Sequence, residues 1–289
     1  HRVDRRQRQM CIRDRYHSPS RGGVKQKKKL NLKGSKSIFA FSVCFLVFFI
    51  SFLFPVLQML YWTIIFPKNL LDLNILQLSL NTIYLVFLSS AVLIIFSFIA
   101  NYGNRVTRSK FLNFLTMFSI TGYAIPGVIL AVAFITFVAW FDNNIIKYYE
   151  LSSIKKIFIG SIIGLVIVYF IRFYSLAYNG LKSGYERINR SIDESSYLLG
   201  YSKIKTFLGI HVPYLRNSIF LIGILISIEI IKELPITLIL RPFNFETFAT
   251  TAYIYASQDL LEAAAVPSLF LILIASTFIL ITSRYILKD

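Results

Sequence analysis

Six stretches of this chain are long and nearly free of charge, approximately residues 38–60, 78–100, 112–140, 157–178, 218–240 and 263–281. About 20 mostly apolar residues wound as a helix cross roughly 30 Å of hydrocarbon, and lipid offers no partner to an exposed backbone group. The pattern predicts an all-α integral membrane protein with six transmembrane helices. The third stretch is overlong and contains Pro126-Gly127, so a kink or break is expected there.

Hydrophobic residues make up 56% of the sequence. A net charge of +17 would suit a nucleic-acid binder, but the 31 Lys and Arg residues avoid the apolar runs and collect between them. Of these, 24 lie before the first run, between the second and third, between the fourth and fifth, or after the sixth. Only five (Lys68, Lys147, Lys155, Lys156 and Arg241) lie in the alternate loops. Positive loops stay in the cytoplasm, so both termini of this multi-pass membrane protein are expected there. Two cysteines, Cys11 and Cys44, cannot build a disulfide framework, and His1, His17 and His211 lack metal-ligand spacing. No stable metal site, catalytic nucleophile or phosphate loop is expected, and no cofactor in this chain.

Residues 1–37 read as a basic leader or linker ahead of a transmembrane domain over 38–289. Residues 1–15 look like translated sequencing-adapter sequence fused to a truncated frame. A basic linker touching anionic lipid heads through Lys25, Lys27, Lys28 and Lys29 is the alternative.

Between the fourth and fifth runs lies a long polar segment with apolar residues at helical spacing. Ile192, Ser195, Ser196 and Leu199 fall on one face, with Asp193, Glu194 and Tyr197 pointing elsewhere. Glu194-Ser195-Ser196, three residues, Gly200, nine residues, then Ile210-His211-Val212-Pro213 resembles the EAA loop of ABC importer permeases, E-A-A, x3, G, x9, I-x-L-P. Ser195 and Ser196 replace the two alanines and Val212 the leucine. The resemblance implies a MetI-like permease fold, in which this loop forms a cytoplasmic coupling helix between helices 4 and 5 that docks on an ATPase. Glycine at 200 would permit a sharp reversal between short helices, and Pro213 suits the first turn of the next span. An amphipathic loop lying on the membrane surface is the plainer alternative.

From about residue 16 to the end the chain is most similar to the C-terminal half of ferric iron(III) permeases. The carrying fragments are YAIPGVILAV, YFIRFYSLAYNGL, KELPITLILRP, FETFATTAYIYAS and QDLLEAAAVPS, with YHSPS resembling the linker that joins two halves. The resemblance implies several partners: a cytoplasmic ABC ATPase dimer binding ATP and Mg, a periplasmic substrate-binding protein, and a second six-helix half. That half would be part of a longer chain, a sister subunit or a second copy. The binding protein would meet the outer loops over 141–156 and 241–262. Permeases for thiamine, sulfate, phosphate or polyamine are alternatives. An ion-driven secondary transporter is another, although no inverted repeat is visible. A membrane scaffold would leave the spacing around Gly200 unexplained.

Charges inside spans are expensive, so Arg172 and the neighbours Lys232 and Glu233 are candidates for the translocation path or gate. Arg172 is placed about two turns before the coupling loop, to anchor a gate or snorkel to lipid heads. Lys232 and Glu233 are expected to line or brace the path, or to form a structural ion pair with a neighbouring span, with Pro235 freeing carbonyls beside a cavity. Asn81-Thr82 and Arg241-Pro242 also match family positions and are as suited to capping and packing as to contacting substrate.

Overall fold

The computed structural model describes residues 34–71, 73–107, 109–148 and 158–286. The leader over 1–33, with Cys11, His1, His17 and the lysines at 25 to 29, lies outside the described residues, as do Lys155 and Lys156. Among the described residues there is no strand. In chain order the helices are α1 (Ser35–Ile65), α2 (Lys68–Leu71), α3 (Ile75–Thr107), α4 (Lys110–Ile120), α5 (Gly127–Tyr148), α6 (Ile162–Tyr185), α7 (Arg190–Leu198), α8 (Lys203–Ile231), α9 (Pro235–Leu240), α10 (Phe248–Ser257) and α11 (Leu261–Ile286). Six of them, α1, α3, α5, α6, α8 and α11, are long and apolar enough to cross a membrane.

Two compact units divide after Phe54. The described part of the first is the start of α1, whose large apolar side chains, Ile38, Phe39 and Phe41 among them, are exposed. Such a surface is stable only in hydrocarbon. The second unit, Pro55–Asp289, holds the core. Its buried centre comes from α3 (Leu85, Leu93), α6 (Leu165, Val168, Phe173, Ala177, Leu181) and α8 (Leu215, Ile226, Ile230). Small residues set how closely these helices approach, because lipid supplies no hydrophobic drive for helix association. A Cβ on Gly180 would come within 2.9 Å of Ile222, and one on Gly184 within 3.0 Å of Leu215.

Proline shapes α1 and α8 alike. A π-turn over Phe49–Leu53 precedes Pro55, and another over Phe207–His211 precedes Pro213. A proline ring collides with the carbonyl four residues back, here Ser51 or Gly209, and a widened turn makes room for it. Pro213 therefore sits in a continuous helix from Lys203 to Ile231, just after the π-turn, so the fifth span begins well before it.

The third and fifth stretches are both interrupted. After α4 a 3-10 turn, Thr121–Ala124, leads to Pro126, and α5 starts at Gly127. The fifth stretch, in which Pro235 is expected to free backbone carbonyls, leaves the helix at 232–234 and resumes as α9. Pro235 has no N–H for the Ile231 carbonyl, so the ladder cannot pass through it. The loop expected over 241–262 contains α10, whose start is fixed by a capping box in which the Thr247 and Thr250 side chains each accept from the other's backbone N–H. Asn81 Nδ2 donates to the Glu246 carbonyl at 2.9 Å, Thr82 Oγ1 accepts from Phe248 N at 3.3 Å, and Arg241 pairs with Glu246. Asn81, Thr82 and Arg241 thus engage protein groups that hold the α9–α10 connection against α3.

The tightest approach is at the 3-10 turn, where a Cβ on Gly122 would lie 2.2 Å from the Ile171 carbonyl oxygen. Gly122→Ala is expected to lower the melting temperature of the detergent-solubilised protein, as overpacking by about 1–3 kcal/mol would. Gly209→Ala, which meets nothing within 4 Å, serves as the control. Equal melting of the two variants would show that α6 does not hold this turn.

Candidate functional site

Two polar clusters are built on the helices just described. In the first, Tyr169 and Arg172 stand three residues apart on α6 and so share a face. Arg172 Nη1 donates to the Ile125 carbonyl at 2.9 Å, and its Nε lies 3.3 Å from Glu233 Oε2. The first contact reaches the break between α4 and α5, the second the break between α8 and α9. Arg172 is ten residues from the start of α6 and thirteen from its end, roughly 15 and 20 Å along the axis. This corrects the expectation of a residue close to the coupling loop: α6 continues to Tyr185, and the guanidinium turns inward to a carboxylate instead of snorkelling.

Glu233 is 8% exposed. Its other oxygen, Oε1, has no hydrogen-bond partner and lies against Gly127, where a Cβ would approach it to 2.7 Å. Gly127 opens the 22-residue α5, so the carboxylate rests beside a helix N-terminus as well as a guanidinium, and both favour its charge. Nearby, Thr237 Oγ1 donates to the Glu233 carbonyl at 2.6 Å and also bonds the buried Tyr169 hydroxyl. Lys232 does not join this group. Its Nζ pairs with Glu229 at 2.7 Å and the side chain is 62% exposed, so of the two residues Glu233 alone forms the expected ion pair with a neighbouring span, through Arg172. Adjacent residues point apart once the backbone leaves the helix. Pro235 opens α9 and marks the break beside which the pair sits.

The second cluster surrounds α7. Asn189 caps its start, with Oδ1 accepting from Ser191 N. At its end Gly200 has φ +81, Gly200 N donates to the Tyr197 carbonyl and Tyr201 N to Ser196, both at 3.0 Å. That paired return is a Schellman ending, which places glycine in the left-handed region. Ser202 then caps α8 by accepting from Lys205 N. Gly200 therefore occupies the reversal between the short α7 and the long α8, where the sequence predicts a second short helix.

Which face of α7 is packed differs from the expectation. Asp193 and Ser196 are buried, whereas Glu194 and Ser195 are exposed and Leu198 and Leu199 are 89% and 78% exposed. Asp193 turns inward because two donors meet it there: Arg105 Nε at 2.6 Å and His211 Nε2 at 2.8 Å. Ser196, standing where the motif has alanine, is satisfied by Thr206 Oγ1 at 2.9 Å. Ser191, Ile192, Ser195, Ser196, Leu199 and Ile210 contribute to an open pocket of about 450 Å³. The structure thus gathers Ser195, Ser196 and Ile210 around one concavity and places Gly200 at the turn beside it.

Sequence reading missed Arg105, Asp193 and His211, and also Gly127, Tyr169 and Thr237. His211 fills the variable position of the I-x-L-P pattern, and its lone imidazole in an apolar segment is the one local signal for a buried polar partner.

Several known proteins are similar to this chain. An Fe(3+)-transport system permease protein, FbpB 2, of Haemophilus influenzae is 20% identical over 166 residues, covering 57% of this chain and 30% of that protein. A probable transport system permease protein, NifC, of Clostridium pasteurianum is 25% identical over 248 residues, covering 81% of this chain and 82% of that protein. The chain therefore spans under a third of the first relative and most of the second. Among solved structures, a bacterial ABC transporter involved in import of the acidic polysaccharide alginate shares the fold, with a TM-score of 0.69 at 15% identity over 86% of this chain and 94% of that one. The same holds for a bacterial alginate ABC transporter in complex with an alginate pentasaccharide-bound periplasmic protein, at a TM-score of 0.68 and 14% identity over 86% and 93% of the two chains. The family described as binding-protein-dependent transport system inner membrane component matches residues 94–288, more than half of the chain and inclusive of both clusters, so this six-span protein belongs to that family and is a transport subunit of an ABC importer, not an enzyme.

Proposed function

We propose that this permease subunit serves an ATP-driven importer of ferric iron, with α7 as the helix on which a cytoplasmic ABC ATPase dimer docks. The observation that carries the docking reading is the exposed tip of α7. Leu198 and Leu199 project beside an open concavity, in a segment whose spacing resembles the coupling loop of such permeases. Two exposed leucines at the end of a well-capped helix are costly in water and suited to a groove on a partner. The excess of Lys and Arg in the segments on this side supports a cytoplasmic location for α7 and for both termini. ATP and Mg would be bound by the ATPase. A periplasmic binding protein would deliver substrate at the opposite end, and a second six-helix half would complete the path.

The iron reading rests on the name of the Haemophilus influenzae relative and on the ordered fragments from YAIPGVILAV to QDLLEAAAVPS. Iron is the cargo here, and Glu233 offers one carboxylate, enough for passing contact with a hard cation and far short of a resident site. In this reading the Arg172 and Glu233 junction braces the path. Breaks in membrane helices are tolerated beside a cavity or another helix, and two of them meet at this pair.

Two outcomes are expected. An impermeant maleimide should label Leu198→Cys only from the cytoplasmic side and Phe243→Cys only from the outside, and the reverse pattern would invert the topology. Glu233→Asp keeps the charge but withdraws it by one methylene. Uptake of radiolabelled ferric iron should fall about tenfold, as a loss of little more than 1 kcal/mol at the limiting step would produce, with abundance in the membrane unchanged. Unaltered uptake would remove Glu233 from the path. An intact transporter that leaves iron behind while importing another solute would overturn the substrate and leave the docking intact.

A further inference from the structure

Asp193 ties α7 to two different spans. One carboxylate oxygen, Oδ2, takes Arg105 Nε at 2.6 Å from the last turn of α3, and the other, Oδ1, takes His211 Nε2 at 2.8 Å from the π-turn of α8. Arg105 is itself fixed by the end of α6 and the cap of α7, because Nη1 donates to the Tyr185 carbonyl at 3.2 Å and Nη2 to the Asn189 carbonyl at 3.1 Å. Each carbonyl also accepts a backbone N–H, Tyr185 from Ile188 at 3.1 Å and Asn189 from Ile192 at 3.3 Å, so the guanidinium adds a second donor to both. His211 is fully buried, and its ring is edge-on to Tyr102 at 5.1 Å and tilted to Tyr185 at 5.5 Å. Tyr102 also donates to the Lys203 carbonyl at 2.6 Å. The ends of α3 and α6, the start of α8 and the whole of α7 therefore converge on one carboxylate.

We propose that Asp193 is a positioning residue for energy transfer, locking α7 to α3 through Arg105 and to the π-turn of α8 through His211. This rests on the reading of α7 as the ATPase-docking helix. A push on α7 reaches the spans only if α7 cannot slide over their ends. Apolar contact alone would let it slide, since such contact has no preferred direction. Two charge-assisted bonds from opposite sides of one carboxylate fix both position and angle. The bond to His211 falls on the turn that is already widened ahead of Pro213, where a helix yields most readily to a change in register. Displacement of α7 is thereby delivered to α3 and to the bend of α8 together.

The test uses the transporter assembled with its ATPase and binding protein, carrying Leu198→Cys with Cys11 and Cys44 replaced. Three quantities are read: disulfide cross-linking of Leu198→Cys to a cysteine in the ATPase groove, ATP hydrolysis with and without loaded binding protein, and uptake. With Asp193→Asn, cross-linking and unstimulated hydrolysis should persist. Stimulation by loaded binding protein and uptake should fall about tenfold or more, and Asp193→Glu should recover part of both. His211→Phe keeps a ring between Tyr102 and Tyr185 but removes the bond to Asp193, and it should reduce stimulation less than Asp193→Asn. Adding it to Asp193→Asn should cause little further loss, because both act on one connection. Unchanged stimulation in Asp193→Asn would overturn the proposal. So would loss of cross-linking, or failure of both single variants to accumulate, since Asp193 would then only hold α7 in place. Absence of the cross-link with Asp193 intact would instead overturn the docking reading itself.

Discussion

In hydrocarbon an interrupted helix is unstable unless other protein groups take up what the interruption frees. Arg172 meets that condition at one break and reaches a carboxylate at another. Its guanidinium holds the Ile125 carbonyl where Pro126 ends one segment and Glu233 where Pro235 ends another. The guanidinium cannot lose its proton, so it needs a counter-charge at this depth, and Glu233 supplies one with the N-terminus of α5 beside it. Removing either partner would strand the other, a loss of about 3–5 kcal/mol for a buried pair. The prolines that break the chain and the charges that join it therefore form one unit.

The opposite end of the same helices is held by a second carboxylate. Asp193 collects Arg105 and His211, while the Tyr185 carbonyl at the end of α6 accepts from Arg105. Between the two clusters run α3, α6 and α8, packed closely through Gly180 and Gly184. A close-packed bundle transmits displacement with little loss, because its interior has few voids to absorb it. On the proposed reading, α7 and the interrupted helices are the two ends of one mechanical connection, one facing the ATPase and the other facing the cargo.

The six spans were legible because hydropathy reports the solvent of a segment directly, and the break at Pro126 because proline acts locally. Gly200 was legible for the same reason, since only backbone geometry is involved. What escaped were pairings set by tertiary register. Arg172 and Glu233 are 61 residues apart in the sequence, and nothing within either segment shows that the two breaks meet. Helical spacing sets Asp193 apart from the face of Ile192, Ser195, Ser196 and Leu199, and nothing local shows that Arg105 and His211 draw it inward. The short α10 escaped as well, because its threonines read as loop until Thr247 and Thr250 are seen to cap one another, with Glu246 and Phe248 beside them bonded to α3.

ATP-dependent transport by the assembled complex tests the central claim most directly. Proteoliposomes holding this subunit, a second six-helix half and the ATPase would be given loaded binding protein on the outside and ATP and Mg on the ATPase side. Uptake should require all of these and continue after ion gradients are collapsed. Uptake that proceeds without the ATPase and stops when the gradients are dissipated would contradict the claim, and the chain would then work as a gradient-driven carrier.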